Sequence, residues 1–307
     1  MTDANKRVAV LGIGGGGNRV VAALRQLGPR PRLDMAVADT DRARLESLTG
    51  VVQIPLGGEW GCEAGCGGDF ELGERAAGAS VESLREFIGE AALLVVVAGL
   101  GGGTGSGGIK VAARLAREAS VPAFFVVTLP FSFEGNWRRQ QAEKVLPPLR
   151  EITEAVIVVQ NDFLFTTLAA DTPAPTAFGM ADDVLARGIA GLAAIAWTDW
   201  MLGTDFAAIR AILKQRPEVC HLGFGGGNGP ERWQDAVSAF LACPLVGGPE
   251  TLGKADAAVV TLTAATPISV GELQTCLSAL QQYFPQNARV VIGACLSSGC
   301  QDEIQIT

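Results

Sequence analysis

The chain of 307 residues has one histidine, His221. Common zinc knuckles need a different supply of ligands, and Cys62-x3-Cys66 and Cys295-x4-Cys300 do not have their spacings. No stretch reaches 18 consecutive apolar residues, so no membrane span is expected. The closest, VLARGIAGLAAIAW from Val184, is broken by Arg187 and suits a buried helix better. Basic residues are not in excess: 24 against 32 acidic, a net charge of −8. That balance argues against a general polyanion binder, so nucleic acid is not an expected partner. The start, MTDANKRVAVLGIGG, is polar and does not resemble a secretory signal, so none is expected, and seven cysteines cannot all pair within one chain. A reducing cytoplasm is the expected location. Strand-like EIQI runs to Thr307, and neither an amphipathic tail nor a direct membrane anchor is expected.

Glycine is what the chain has in abundance: 39 residues, clustered and without a three-residue period. With 48% hydrophobic and 18% charged residues, a buried core is affordable and disorder is not expected. Strand signals at 8–13, 33–39, 92–98, 123–129 and 155–160 alternate with helical spacing at 19–27, 42–48, 80–88, 109–119 and 136–146. Ser80 reads as a helix cap, and Pro147-Pro148 as a helix stop. This is the pattern of a doubly wound parallel sheet. A long helix over about 178–197 follows, and then a smaller α+β region with strands at 219–225, 257–264, 289–296 and 303–306. The expected organisation is α/β: a Rossmann-like domain over 1–176, a central helix over 177–202, and a C-terminal α+β domain over 203–307.

Two glycine clusters sit between a strand and a helix. Gly12-Ile13-Gly14-Gly15-Gly16-Gly17 satisfies G-x-G-x-x-G, which a dinucleotide fold, a phosphate loop or a bare tight turn would share. The second, Gly99-Leu100-Gly101-Gly102-Gly103-Thr104-Gly105-Ser106-Gly107, offers backbone N–H groups and two hydroxyls as an anion cradle. A dinucleotide site does not need it, and it is not a Walker A loop because G-K-[ST] is missing. Two adjacent strands aiming both clusters at one crevice would hold a polyphosphate. A side chain at Gly103 is expected to fill space that phosphate needs.

GGGTGSG (101–107) resembles the signature of the tubulin/FtsZ family. Other segments are similar in the family's order: AVLGIGGGGNRVV, ADTD (38–41), TLPFSFEG (128–135), QND (160–162), FGMADDVL (178–185), GTDFAAIRAIL (203–213) and RVVIGACL. The likeness covers roughly residues 6–307. It implies the tubulin/FtsZ fold and a GTP or GDP ligand, with Mg2+ beside the phosphates. Phosphate loops would be Gly14, Gly15, Gly16 and Gly17, and Gly101, Gly102, Gly103, Thr104, Gly105, Ser106 and Gly107. Glu134 and Arg138 match residues at the ribose and nearby phosphate, Phe178 the aromatic over the guanine, and Asn161 and Asp183 the pair reading its edge.

Self-association head to tail is implied as well, with FtsZ-like paralogues as further partners. In the family a synergy loop enters the neighbouring subunit's site, and its acidic residues polarise water. Here Asp205 is kept as the candidate catalytic group, but Gly203 stands for an Asn and Ala208 for a second Asp. Arg19 replaces a family Asn, Asp39 the Asn of N-T-D, and the third loop around 64–73 has lost its Asn-Pro. A weak GTPase completed at a subunit contact is expected. The other readings are an active division GTPase, a homologue that binds no nucleotide, and an NAD-dependent oxidoreductase.

Overall fold

Apolar runs and glycine-led helices build the first part of the chain. In order they are β1 (Val8–Ile13), α1 (Gly14–Gln26), β2 (Leu33–Asp39), α2 (Arg42–Glu46), β3 (Val52–Pro55), α3 (Phe70–Ala79), α4 (Val81–Gly89), β4 (Leu93–Gly99), α5 (Gly103–Glu118), β5 (Ala123–Leu129), α6 (Asn136–Ile152), β6 (Ala155–Gln160), α7 (Asn161–Leu164) and α8 (Ala174–Ala194). The computed structural model describes residues 7–28, 33–58, 64–165, 169, 171–195, 200–202, 206–213, 220–296 and 304–307. It divides into two units: Met1–Gln26, Pro31–Ala186 and Gln215–Cys220 form one, and Leu27–Arg30, Arg187–Lys214 and His221–Thr307 the other.

In the first unit six strands lie in the order β3-β2-β1-β4-β5-β6, all parallel. Such a sheet is covered on both faces, so its central strands read as unbroken hydrophobic runs. Every residue of β1 is buried, and so is β4 up to Ala98. Leu11, Val96 and Phe125 pack with Ile109 of α5 and Leu149 of α6 in one core. The strand order reverses between β1 and β4, where open parallel sheets leave a crevice at their carboxyl ends. Both glycine clusters lie there.

The second unit carries the last part of α8, then β7 (Trp200–Leu202), α9 (Phe206–Leu213), β8 (Gly225–Gly227), α10 (Arg232–Ala242), α11 (Pro249–Leu252), β9 (Ala257–Ala264), α12 (Val270–Gln281), β10 (Arg289–Leu296) and β11 (Ile304–Ile306). Its sheet runs β7-β10-β9-β11-β8, with β9 and β10 parallel and the other pairs antiparallel. The expected fold class therefore holds.

Several local expectations do not. α1 and α5 begin at Gly14 and Gly103, so most of both glycine clusters is helical rather than loop. α6 continues through Pro147 and Pro148 to Ile152. Both prolines are exposed, as are Glu143 and Lys144, whose carbonyls lose their donors, so water can serve them while Ala142, Val145 and Leu149 stay buried. α8 starts at Ala174 because Pro175 falls in its first turn, where the missing N–H costs nothing. The Ser80 hydroxyl does not cap α4; it donates to the Pro55 carbonyl and accepts the Gly57 N–H. β3 and α3 were not foreseen. β8 is confined to Gly225–Gly227, downstream of most of the expected strand.

Among the described residues no helix is long and apolar enough to cross a membrane. Among them, too, no His, Cys, Asp and Glu cluster could hold a metal. Cys66, Cys220, Cys243, Cys276 and Cys295 are free thiols, and burial pushes Cys220 up to about 11 and Cys276 up to about 12. Cys62 and Cys300 lie outside the described residues.

Glycine also sets how α3 meets α5. A Cβ on Gly107 would collide with the Phe70 carbonyl and the Glu74 amide, and one on Gly73 with the Gly103 carbonyl. Gly78, exposed on α3, has nothing within 4 Å of that position. Gly107→Ala should therefore cost about 1–3 kcal/mol by overpacking, whereas Gly78→Ala should add up to about 1 kcal/mol through helix propensity. Urea denaturation of the two variants beside the parent measures both.

Candidate functional site

β1 delivers the chain directly into α1, and β4 delivers it through Leu100–Gly102 into α5. Gly14 holds φ +70°, and a Cβ there would lie 2.8 Å from the Gly105 nitrogen. One on Gly16 would lie 3.2 Å from the Gly99 Cα. The two helix starts are thus in backbone contact, which only glycine permits. Each start leaves N–H groups without a helical partner and carries the positive end of a helix dipole, so the pair forms an anion site.

A third segment closes on them. Asp41 and Ala64 form an antiparallel bridge, and the Cys66 thiol lies 3.5 Å from the Thr40 hydroxyl and 3.7 Å from that of Thr104. The hydroxyls of Thr40 and Thr104 are 2.6 Å apart. Asp69 then caps α3, its Oδ1 accepting from the amides of Glu71 and Leu72. Asp39, 2% exposed, accepts from Asn18 Nδ2 at 3.0 Å and from the Asp41 amide at 3.2 Å. Burial pushes its carboxyl above the usual range, against the pull of these backbone bonds and of Arg44.

The result, within the first unit, is an open cleft of about 780 Å³. Gly14, Gly15 and Gly16, Gly102 to Gly105, and 64–68 line one end. Phe131, Phe178 and Asp182 line it as well, with Arg19, Glu134 and Arg138. Phe178 stands edge-on to Phe131 and Phe165, at centroid distances of 5.3 and 5.8 Å. The Arg19 guanidinium lies 6.0 Å from its ring centroid and donates to Asp182 at 3.0 Å. Burial pushes Asp182 above the ordinary carboxylate range, and Arg19 opposes that. Glu134 accepts from the Phe131 amide at 2.9 Å and from Arg138 at 2.7 Å.

The cleft thus gathers Gly14, Gly15, Gly16, Gly102, Gly103, Thr104, Gly105, Glu134, Arg138 and Phe178 of the expected set. Asp183 stands apart from these. It is exposed and does not line the cleft, whereas Asp182, four residues after Phe178, shares that residue's helix face. Four members of the expected cradle, Gly17, Gly101, Ser106 and Gly107, are not among the residues lining the cleft. A Cβ on Gly17 would collide with the Val97 carbonyl, and Gly101 is wedged against Pro130 and Arg138. The Ser106 hydroxyl accepts the Gly101 amide at 2.9 Å, and Gly107 packs on α3. Asn161, half-buried at the start of α7, does not line the cleft either.

Gly103 is crowded by protein as well. A side chain there would meet the Asp69 carbonyl at 2.7 Å, so the third segment and not a ligand takes that space. Asp205 lies outside the described residues. Arg44 and Asp41 were not anticipated. The signal was available, since a capping Asp places the residue three positions on within the first helical turn.

Two glycine-led helix starts, aromatic rings and the Asp182 carboxylate, all lining one cleft, fit a nucleoside polyphosphate in volume and chemistry. Residues 7–169 match the GTPase domain of the tubulin/FtsZ family, and residues 218–307 match the C-terminal domain of the FtsZ family. The chain belongs to the tubulin/FtsZ family. The cell division protein FtsZ of Pseudomonas aeruginosa is 30% identical over 300 residues, 98% of this chain and 75% of that relative. An empty FtsZ dimer structure from M. jannaschii has a TM-score of 0.88 at 26% identity, covering 99% of this chain and 88% of its own. CetZ2 from Haloferax volcanii, solved as a GTPγS-bound protofilament, shares the fold, with a TM-score of 0.75 at 23% identity over 98% and 91% of the two chains. Family membership makes this chain a GTP-binding, FtsZ-like cytoskeletal protein. It displaces the dinucleotide reading of the first glycine cluster.

Proposed function

We propose that the protein binds guanine nucleotide in this cleft, associates head to tail and hydrolyses GTP slowly. The observation that carries the reading is the placement of Phe178 and Asp182 on one face of α8, in the same cleft as two glycine-led helix starts. A base stacked on Phe178 presents its edge to Asp182. A carboxylate accepts from guanine N1–H and the 2-amino group, whereas adenine has no N1–H to give. Asp182→Ala should therefore remove most of a GTP-over-ATP preference in isothermal titration, and Asp183→Ala should leave it in place. Equal affinity of the parent for GTP and ATP would sink this part of the reading.

The turnover part rests on sequence. A water-orienting carboxylate contributes about 10²–10⁴ in rate, and Ala208, near the start of α9, has no carboxylate to offer. Gly203 and Asp205 lie outside the described residues. The lost groups act mainly in the transition state, so turnover falls more than affinity. Association by a heterologous contact propagates into a filament unless its rotation closes a ring; the M. jannaschii dimer and the Haloferax protofilament named above are relatives solved as assemblies. Gly203→Asn combined with Ala208→Asp should speed phosphate release at matched polymer mass, and Asp205→Ala should slow the parent further. A fast parent untouched by Asp205→Ala would place water activation elsewhere.

A further inference from the structure

A polyphosphate brings several negative charges into a cleft whose walls are already acidic. Asp39, Asp41, Glu134 and Asp182 line it against three arginines, Arg19, Arg44 and Arg138. Two helix dipoles offset part of this charge, each worth about half an elementary charge at its N-terminus. The arginines differ in how firmly their own carboxylates hold them. Arg138 donates to Glu134 at 2.7 Å and Arg19 to Asp182 at 3.0 Å. Arg44 approaches Asp41 only at 3.7 Å, beyond hydrogen-bond length, and the other Asp41 oxygen already accepts the Arg44 amide at 3.0 Å.

The positions differ too. Arg19 lies over Phe178, where a base would stack, and Arg138 lies beside Glu134. The Arg44 guanidinium instead lies over the first turn of α1: a Cβ on Gly15 would collide with its Nη1. The Asp41–Ala64 bridge ties the start of α2 to the third segment, so Arg44 stands between that segment and the start of α1 on the cleft wall.

We propose that Arg44 is the cation of the polyphosphate subsite, exchanging its long contact with Asp41 for phosphate oxygens. This rests on the cleft being the nucleotide site. A guanidinium suits the task because it is always charged, weakly hydrated and able to make two parallel hydrogen bonds to one phosphate. Arg44 also answers a need that backbone N–H groups alone leave open, since neither glycine cluster carries the lysine of a Walker loop.

The test is isothermal titration of the parent, Arg44→Ala and Arg44→Lys with GTP, GDP, guanosine and inorganic tripolyphosphate. Arg44→Ala should weaken GTP, GDP and tripolyphosphate by about tenfold to a hundredfold, the range of a charge-assisted hydrogen bond. Guanosine should bind as in the parent, and Arg44→Lys should recover part of the loss. Because the side chain is 57% exposed, the variants are expected to fold normally. Unchanged GTP affinity in Arg44→Ala would overturn the proposal. So would an equal loss for guanosine, which marks a merely structural role. A parent that binds ATP as tightly as GTP would overturn the base reading and leave Arg44 standing, since tripolyphosphate reports on it without any base.

Discussion

The structure depends on one close approach: the starts of α1 and α5 touch backbone to backbone at the switch point of the parallel sheet. Nothing larger than hydrogen fits at Gly14, Gly17 or Gly105 without meeting a neighbouring backbone atom. Glycine is a poor helix former, roughly 1 kcal/mol worse than alanine per residue, so its use here runs against local propensity. What it gains is the convergence of two positive helix ends on one point. The same economy extends outward, since Gly73 and Gly107 let α3 lie on α5 and bring the third segment over Gly103.

From that convergence the rest of the site follows. β4 ends at the cleft with Gly99, the turn after β5 supplies Phe131 and Glu134, and α8 brings in Phe178 and Asp182. Charge marks the wall of this cleft. Arg19 pairs with Asp182, Asp39 is a buried carboxylate, and Arg44 and Arg138 line the same space.

Much of this was legible before any coordinates. Alternating apolar runs and glycine clusters gave the parallel sheet, and GGGTGSG pointed to the family. What was not legible has physical reasons. A motif names residues without their neighbours, so the packing of Gly107 on α3 and the bond from the Gly101 amide to the Ser106 hydroxyl could not be read from it. Asp183 was matched by motif position alone; adjacent helix positions differ by about 100° of rotation, so it takes the packing of Phe178 to put Asp182 and not Asp183 in the cleft. α3 was hidden by the glycine-rich segment before it and by its own small residues. The continuation of α6 through two prolines depends on both being exposed, which the sequence does not record.

The most direct measurement uses Gly102, the cap residue before α5. Its φ of −92° suits any side chain, it lines the cleft, and a Cβ there meets nothing within 4 Å. A side chain at this position meets no protein atom, so beyond the weaker cap that valine makes it acts mainly on a ligand lying against the helix start. Gly102→Val should stay folded, melting within a few degrees of the parent, and lose most of its GTP affinity. Undiminished GTP binding by a normally folded Gly102→Val would contradict the account, because nucleotide would then lie away from the helix ends that the fold brings together.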